Sequence, residues 1–152
     1  MTLELREVDW EHPDSVALRV AQRAELTERY GTPDSEPGPA PTRSDVDYFL
    51  VAYRDGEAAG CGALRPLDDE HGEVKRMFVT PAQRGTGVST VILGRLEQTA
   101  RDRGWHRLVL ETGDLQPDAI RFYEREGYTR IPNFGYYADS PLSVCFEKPL
   151  AS

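Results

Sequence analysis

Hydrophobic positions recur with two different periods along the chain, and the change between them marks out the elements. Leu3, Leu5 and Val8 alternate as in a short strand. After Asp14, the residues Val16, Leu18, Val20 and Leu26 fall among polar neighbours, which predicts a turn and then a helix. Phe49 to Tyr53 is a compact run of aromatic and branched residues and reads as a strand, preceded by a helical turn over Ser44 to Tyr48 with Ser44 as its cap. Asp55-Gly56 supplies a tight turn into a second strand, Ala58 to Arg65, so the two form a hairpin. Pro66 to His71 reads as a polar loop, and Glu73 to Val79 as a strand ended by Thr80-Pro81.

From Gly87 the period becomes helical. Val88, Ile92, Leu96 and Ala100 recur every fourth residue and form one apolar face, with Gly104 placed to close the helix. Arg107 to Glu111 is the next strand. Pro117 suits a first helical turn, Ile120 and Tyr123 share a face, and Gly127 ends that helix. Tyr128 to Ile131 and Ser143 to Glu147 complete the strands. Residues 31–42 hold four prolines and two glycines and cannot form a regular element. The order predicts a mixed α/β (α+β) domain, with strand-loop-helix units in its second half and no internal repeats.

The length of 152 residues fits one domain spanning 1–152, since two cores would each be undersized. The net charge of −8 opposes binding to nucleic acid, so any polyanionic ligand must be held by local groups. The acid is uneven: residues 1–40 carry nine acidic against four basic side chains, whereas Val74 to Gly94 carry no acid. Cys61 and Cys145 lie far apart in apolar contexts and form no CxxC pair, which predicts reduced, buried thiols of a cytoplasmic protein. His12, His71 and His106 do not cluster, so no metal is expected. The amino-terminal residues have no basic segment followed by an apolar stretch. No run approaches the roughly 18 apolar residues of a membrane span.

The segment with the clearest chemistry is Val79 to Ser89, a strand entering a glycine-bearing loop that opens a helix. Gly85 and Gly87 allow positive φ and close approach of a ligand, and the first-turn N–H groups of the helix converge on an anion. Arg84 adds a cation, giving a cradle for a pyrophosphate. A Walker loop would end in Gly-Lys-Ser/Thr, and a dinucleotide fingerprint would need a third glycine; Val88-Ser89-Thr90 supplies neither.

Arg84-Gly85-Thr86-Gly87-Val88-Ser89 resembles the Gln/Arg-x-x-Gly-x-Gly/Ala signature of the GNAT superfamily of acyl-CoA-dependent N-acyltransferases, with Ser89 in place of the usual Gly or Ala. Gln116 to Tyr128 is similar to a second segment of that family, Asn-x-x-Ala-x-x-Phe/Leu-Tyr-x-x-x-Gly-Phe/Tyr. The resemblance implies a mixed, mostly antiparallel sheet of six to seven strands with about four helices and splayed central strands. It implies acetyl-CoA as co-substrate, with the backbone of Met77, Phe78 and Val79 pairing with pantetheine. Arg84, Gly85, Thr86, Gly87, Val88 and Ser89 would hold the pyrophosphate, and Gln116 would stand where the family has an asparagine that bonds the cofactor.

The resemblance also implies that Tyr123 protonates the departing thiolate, a role that a positioned phenol can perform. The residue pattern alone equally allows a core tyrosine. Glu73 and Glu111 match two alternative positions of the base that deprotonates the acceptor amine; each could instead be a strand carboxylate paired with Arg76 or Arg107. Acceptor contacts are expected from residues 23–48 and from the aromatic segment 132–141, with the acid of residues 25–36 facing an incoming cationic amine. The expected activity is direct transfer of acetyl to a primary amine of a small molecule or peptide. The alternative is a non-catalytic acyl-CoA-binding sensor or regulatory domain. Monomer and homodimer both remain open.

Overall fold

The computed structural model describes residues 2–32, 38 and 41–150. Strand β1 (Leu3–Val8) leads into helix α1 (Pro13–Tyr30); β2 (Tyr48–Arg54) and β3 (Glu57–Pro66) form the hairpin, and β4 (His71–Val79) follows. Helix α2 (Val88–Asp102), β5 (Arg107–Gly113), α3 (Pro117–Arg125), β6 (Thr129–Ile131) and β7 (Ser143–Pro149) complete the order. All seven strands belong to one sheet in the order β1-β2-β3-β4-β5-β7-β6. Every neighbouring pair is antiparallel except β4 and β5, which are parallel.

Three α-helices lie among the described residues. The expected helical turn over 44–48 is a single turn that starts two residues earlier, where the N–H groups of Asp45 and Val46 both donate to Thr42 O at 3.0 Å. Thr42 rather than Ser44 heads it, because the Asp45 carboxylate turns back to accept from Thr42 N at 3.1 Å. Helix α1 begins at Pro13, with His12 as its cap: His12 Nδ1 accepts from the N–H of Asp14 at 3.1 Å. Gly31 ends it in the left-handed conformation at φ 72°.

Helices cover both faces of the sheet, which is why the central strands are buried along their length and do not alternate with polar residues. On one face, Ile92, Leu93, Leu96 and Ala100 of α2 pack on Leu50, Leu64, Val74, Leu108, Leu110 and Phe146. On the other, Trp10 and Leu18 pack on Phe49, Val51, Cys61, Ala63 and Phe78. Helix α2 is further tied to the far end of the sheet by Glu97, which accepts from Tyr128 Oη at 2.9 Å and from Lys148 Nζ at 3.1 Å.

Two features of β4 shape the centre of the molecule. It pairs with β5 only over His71–Val74 against Arg107–Leu110. Farther along, Cys61 faces Phe78 while Ala63 faces Lys75, so Arg76 and Met77 together stand opposite the single residue Gly62. This is a β-bulge, and Arg76 takes a positive φ of 57° within it. A Cβ on Gly62 would lie 2.7 Å from Met77 Sδ and 2.8 Å from Ile92, so glycine lets the bulge and α2 close together. Beyond the bulge β4 has left β5, and a cleft opens between them.

The paired base of that cleft is roofed by Trp105, buried on Gly72, where an added Cβ would collide with the indole. Gly72→Ala is expected to destabilise the fold by about 1–3 kcal/mol through overpacking, read from the urea midpoint. An unchanged midpoint would show that the base of the cleft is not tightly packed.

Candidate active site in the cleft between β4 and β5

Backbone groups on successive residues of a strand point to opposite sides. The N–H of Thr80 donates to Ala59 O on β3 at 2.9 Å, which turns Phe78 toward β3 as well and leaves Met77 and Val79 facing the cleft. Gln22 Nε2 donates to Met77 O and Arg84 Nε donates to Val79 O, each at 3.0 Å. Of the three residues whose backbone was expected in the site, Met77 and Val79 present theirs to it; Phe78 contributes its ring, which lies 5.6 Å from the Arg84 guanidinium.

The glycine loop follows. Gly85 and Gly87 adopt φ of 77° and 88°, and nothing lies within 4 Å of a Cβ built on either. Gly87 caps α2 without a side-chain bond, and no acid occupies the first turn. The first intrahelical bond runs from Val91 N to Gly87 O, so the N–H groups of Val88, Ser89 and Thr90 have no helical acceptor and face the approach that the glycines keep open. Thr86 turns away and donates to Gln83 O at 2.6 Å.

These elements line a cavity of about 430 Å³. Met77, Phe78, Val79, Arg84, Gly85, Gly87, Val88, Ser89, Gln116 and Tyr123 all reach it. Gln116 caps α3 from this cavity, and its side chain bonds the Tyr30 hydroxyl. Tyr123 is 6% exposed, with its ring against Phe122, Tyr128 and Phe146. Burial, and secondarily the charge of Glu111, push its phenol well above the ordinary tyrosine value. Its hydroxyl is therefore protonated throughout the physiological range.

Glu73, Glu111 and Thr86 do not line the cavity. Glu73 is 1% exposed and accepts from Tyr137 Oη at 2.7 Å, with Arg65 and Lys75 at 3.6 and 3.7 Å. Tyr137 in turn accepts from Lys75 Nζ at 2.8 Å, so part of the aromatic segment 132–141 folds onto β4. Glu111 accepts from Ser143 Oγ at 2.7 Å and is half-buried. Arg107 pairs with Glu147 at 2.9 Å.

Residues 23–48 were expected at the acceptor; their α1 part, together with Gln22, which was not singled out, lines the same cavity as the glycine loop. Gln22, Glu25, Leu26 and Arg29 line the cavity at i, i+3, i+4 and i+7, one helical face. Glu25 accepts from Arg84 Nη2 at 2.5 Å, which corrects the expectation that the acid of residues 25–36 sits only on the amine side. Asp34 and Glu36 of that stretch lie outside the described residues. The spacing was the available signal, but a polar face reads as solvated. Arg121, Phe122 and Arg125 of α3 also line the cavity and were likewise not singled out.

The arrangement combines an exposed strand backbone, an anion cradle at a helix N-terminus and a protonated phenol. The model of the acetyltransferase (GNAT) family matches residues 8–128. The chain belongs to the GNAT acetyltransferase family. It is 46% identical over 104 residues to an IAA acetyltransferase of Azospirillum brasilense, covering 67% of each chain. It superposes with a TM-score of 0.84 on a candidate acyl-CoA N-acyltransferase from Klebsiella pneumoniae, 33% identical over 99% of both chains. A GNAT family acetyltransferase from Elizabethkingia anophelis with acetyl-CoA bound shares the fold at a TM-score of 0.72 and 16% identity, covering 97% of this chain and 98% of that one.

GNAT acetyltransferases use acetyl-CoA as co-substrate, and the cradle fits its pyrophosphate. Open space at Gly85 and Gly87, first-turn amides without helical acceptors, and Met77 and Val79 carbonyls that accept from side chains give the cavity the donors and acceptors that a pyrophosphate and an amide-bearing arm require. Among the described residues no group of His, Cys, Asp and Glu gathers as a metal site, and no helix is long and apolar enough to cross a membrane.

Burial raises the pKa of Tyr123 and Tyr128, takes that of Tyr53 to about 12, and takes those of the free thiols Cys61 and Cys145 to about 12 and about 11. Unfolded thiols and phenols ionise near pH 8.5 and 10, so stability is fully present below about pH 8.5 and falls as pH rises above it. Urea midpoints at pH 8 and pH 11 check this. A midpoint that holds or rises would contradict it.

Proposed function

We propose that this single domain is an N-acetyltransferase that moves the acetyl group of acetyl-CoA directly to a primary amine of a small molecule or peptide. The observation that carries the reading is Tyr123: a buried, protonated phenol on the same cavity as the glycine cradle and the cleft-facing backbone of β4.

Acetyl-CoA supplies an activated acyl group and a thiolate leaving group. Arg84 and the amides of Gly85 to Thr90 hold its phosphates, and the backbone of Met77 and Val79 aligns the pantetheine arm. Gln116 bonds it from the α3 side. Glu111 accepts the proton of the attacking ammonium through water, which frees the lone pair that forms the new C–N bond. As the C–S bond breaks, Tyr123 gives its proton to the sulfur.

One observation favours Glu111 over Glu73 as the base: its charge is felt at the phenol of Tyr123, the proposed proton donor. The Glu73 carboxylate is committed to Tyr137 and flanked by Arg65 and Lys75. Neither buried thiol is assigned a nucleophilic role: burial keeps both protonated, and Cys61 donates to Arg76 O at 3.2 Å.

Thiol release from acetyl-CoA, measured against polyamines, amino acids, aminoglycosides and short peptides, tests the reading. Turnover is expected with at least one amine class, and Tyr123→Phe is expected to lower kcat about 100-fold with acetyl-CoA binding retained. Glu111→Gln should depress the rate chiefly at low pH, where the amine most needs a base. Tight CoA binding without thiol release from any amine would instead describe a binding domain without turnover.

A further inference from the structure

Three polar contacts in the cleft share a pattern. Met77 O accepts from the Gln22 amide, Val79 O accepts from Arg84 Nε, and the same Arg84 donates to the Glu25 carboxylate. The two carbonyls are those the bulge turns toward the cleft, and Arg84 is the cation of the cradle. Gln22 and Glu25 are one helical turn apart on α1, so both contacts move with that helix. We propose that this face of α1 stands in for the donor: Gln22 takes the place of a pantetheine amide, Glu25 takes the place of the pyrophosphate, and both contacts are handed over when acetyl-CoA binds. The inference rests on the reading of the cleft as an acetyl-CoA site.

The contacts are built to be exchanged. Gln22 reaches Met77 with its Nε2 while its Oε1 is buried with no hydrogen-bond partner among the described residues, so the bridge carries an unsatisfied acceptor. Glu25 has a second cation in Arg29, four residues along at 3.6 Å, and keeps that partner when Arg84 leaves. The Arg84 and Glu25 side chains are 41% and 29% exposed, which makes their pair a weak, solvent-screened one. A weak pair delays binding without preventing it, because the donor affinity is reduced only by the fraction of molecules in which Arg84 is held.

Calorimetric titration of the full chain with acetyl-CoA tests this. Glu25→Gln is expected to tighten binding about two- to fivefold. The gain should vanish in the Arg84→Ala background, because the carboxylate acts through that guanidinium. Equal tightening with and without Arg84 would reveal simple repulsion between Glu25 and the phosphates and would overturn the proposal. So would unchanged or weaker binding by Glu25→Gln while the wild type binds normally. A wild type that binds no acetyl-CoA would remove the donor-site reading itself, and the stand-in role with it.

Discussion

Two residues of β4, Arg76 and Met77, face one residue of β3, and the active cleft depends on that mismatch. The extra residue bends β4 away from β5 after only four paired positions. It also turns the carbonyls of Met77 and Val79 toward the gap and not toward a neighbouring strand. Arg76 holds a left-handed conformation there, a strain the surrounding sheet supports. Gly62 makes the bend sterically feasible by letting Met77 and the side chains of α2 approach where a Cβ would collide. The same packing sets α2, and therefore the amides of its first turn, at the mouth of the cleft.

Electrostatics then act locally against the overall charge. A chain with net charge −8 gathers an arginine, helix-terminal amides and a stretch free of acid at one cleft, which is the local provision a polyanion would need. The acid of α1 is not segregated from that region: Glu25 crosses to Arg84. Charge at the cradle is thus balanced before a ligand arrives. The Tyr123 phenol sits at the opposite extreme, kept neutral by a dry aromatic surround and by the nearby Glu111 charge. One cleft therefore brings together helix-terminal amides, exposed strand backbone and a neutral phenol.

Much of this was legible in the sequence because it is local. The fourfold repeat of Val88, Ile92, Leu96 and Ala100 placed α2, Asp55-Gly56 placed the hairpin, and the glycines around Thr86 placed the cradle between strand and helix. The motif at Gln116 to Tyr128 brought Tyr123 to the correct helix. What was not legible depends on pairing across the chain. Nothing in Glu73-Val74-Lys75-Arg76-Met77 signals a bulge, since a non-glycine residue at positive φ is chosen by the sheet around it. The polar face of α1 looks solvated until the fold closes it over the cleft. Glu73 and Glu111 both sat on strands of the right length. In the fold, Tyr137, Lys75 and Arg65 gather around Glu73, while Glu111 acts on the Tyr123 phenol.

The most direct test of the account is residue-resolved amide hydrogen exchange of the protein with and without acetyl-CoA. The backbone N–H groups of Met77 and Val79 and those of Val88, Ser89 and Thr90 should slow together when the donor is added, because the bulge and the helix N-terminus hold one ligand between them. Unchanged exchange at those amides, with protection arising elsewhere, such as around Val8, Trp10 and Val46, would contradict the account.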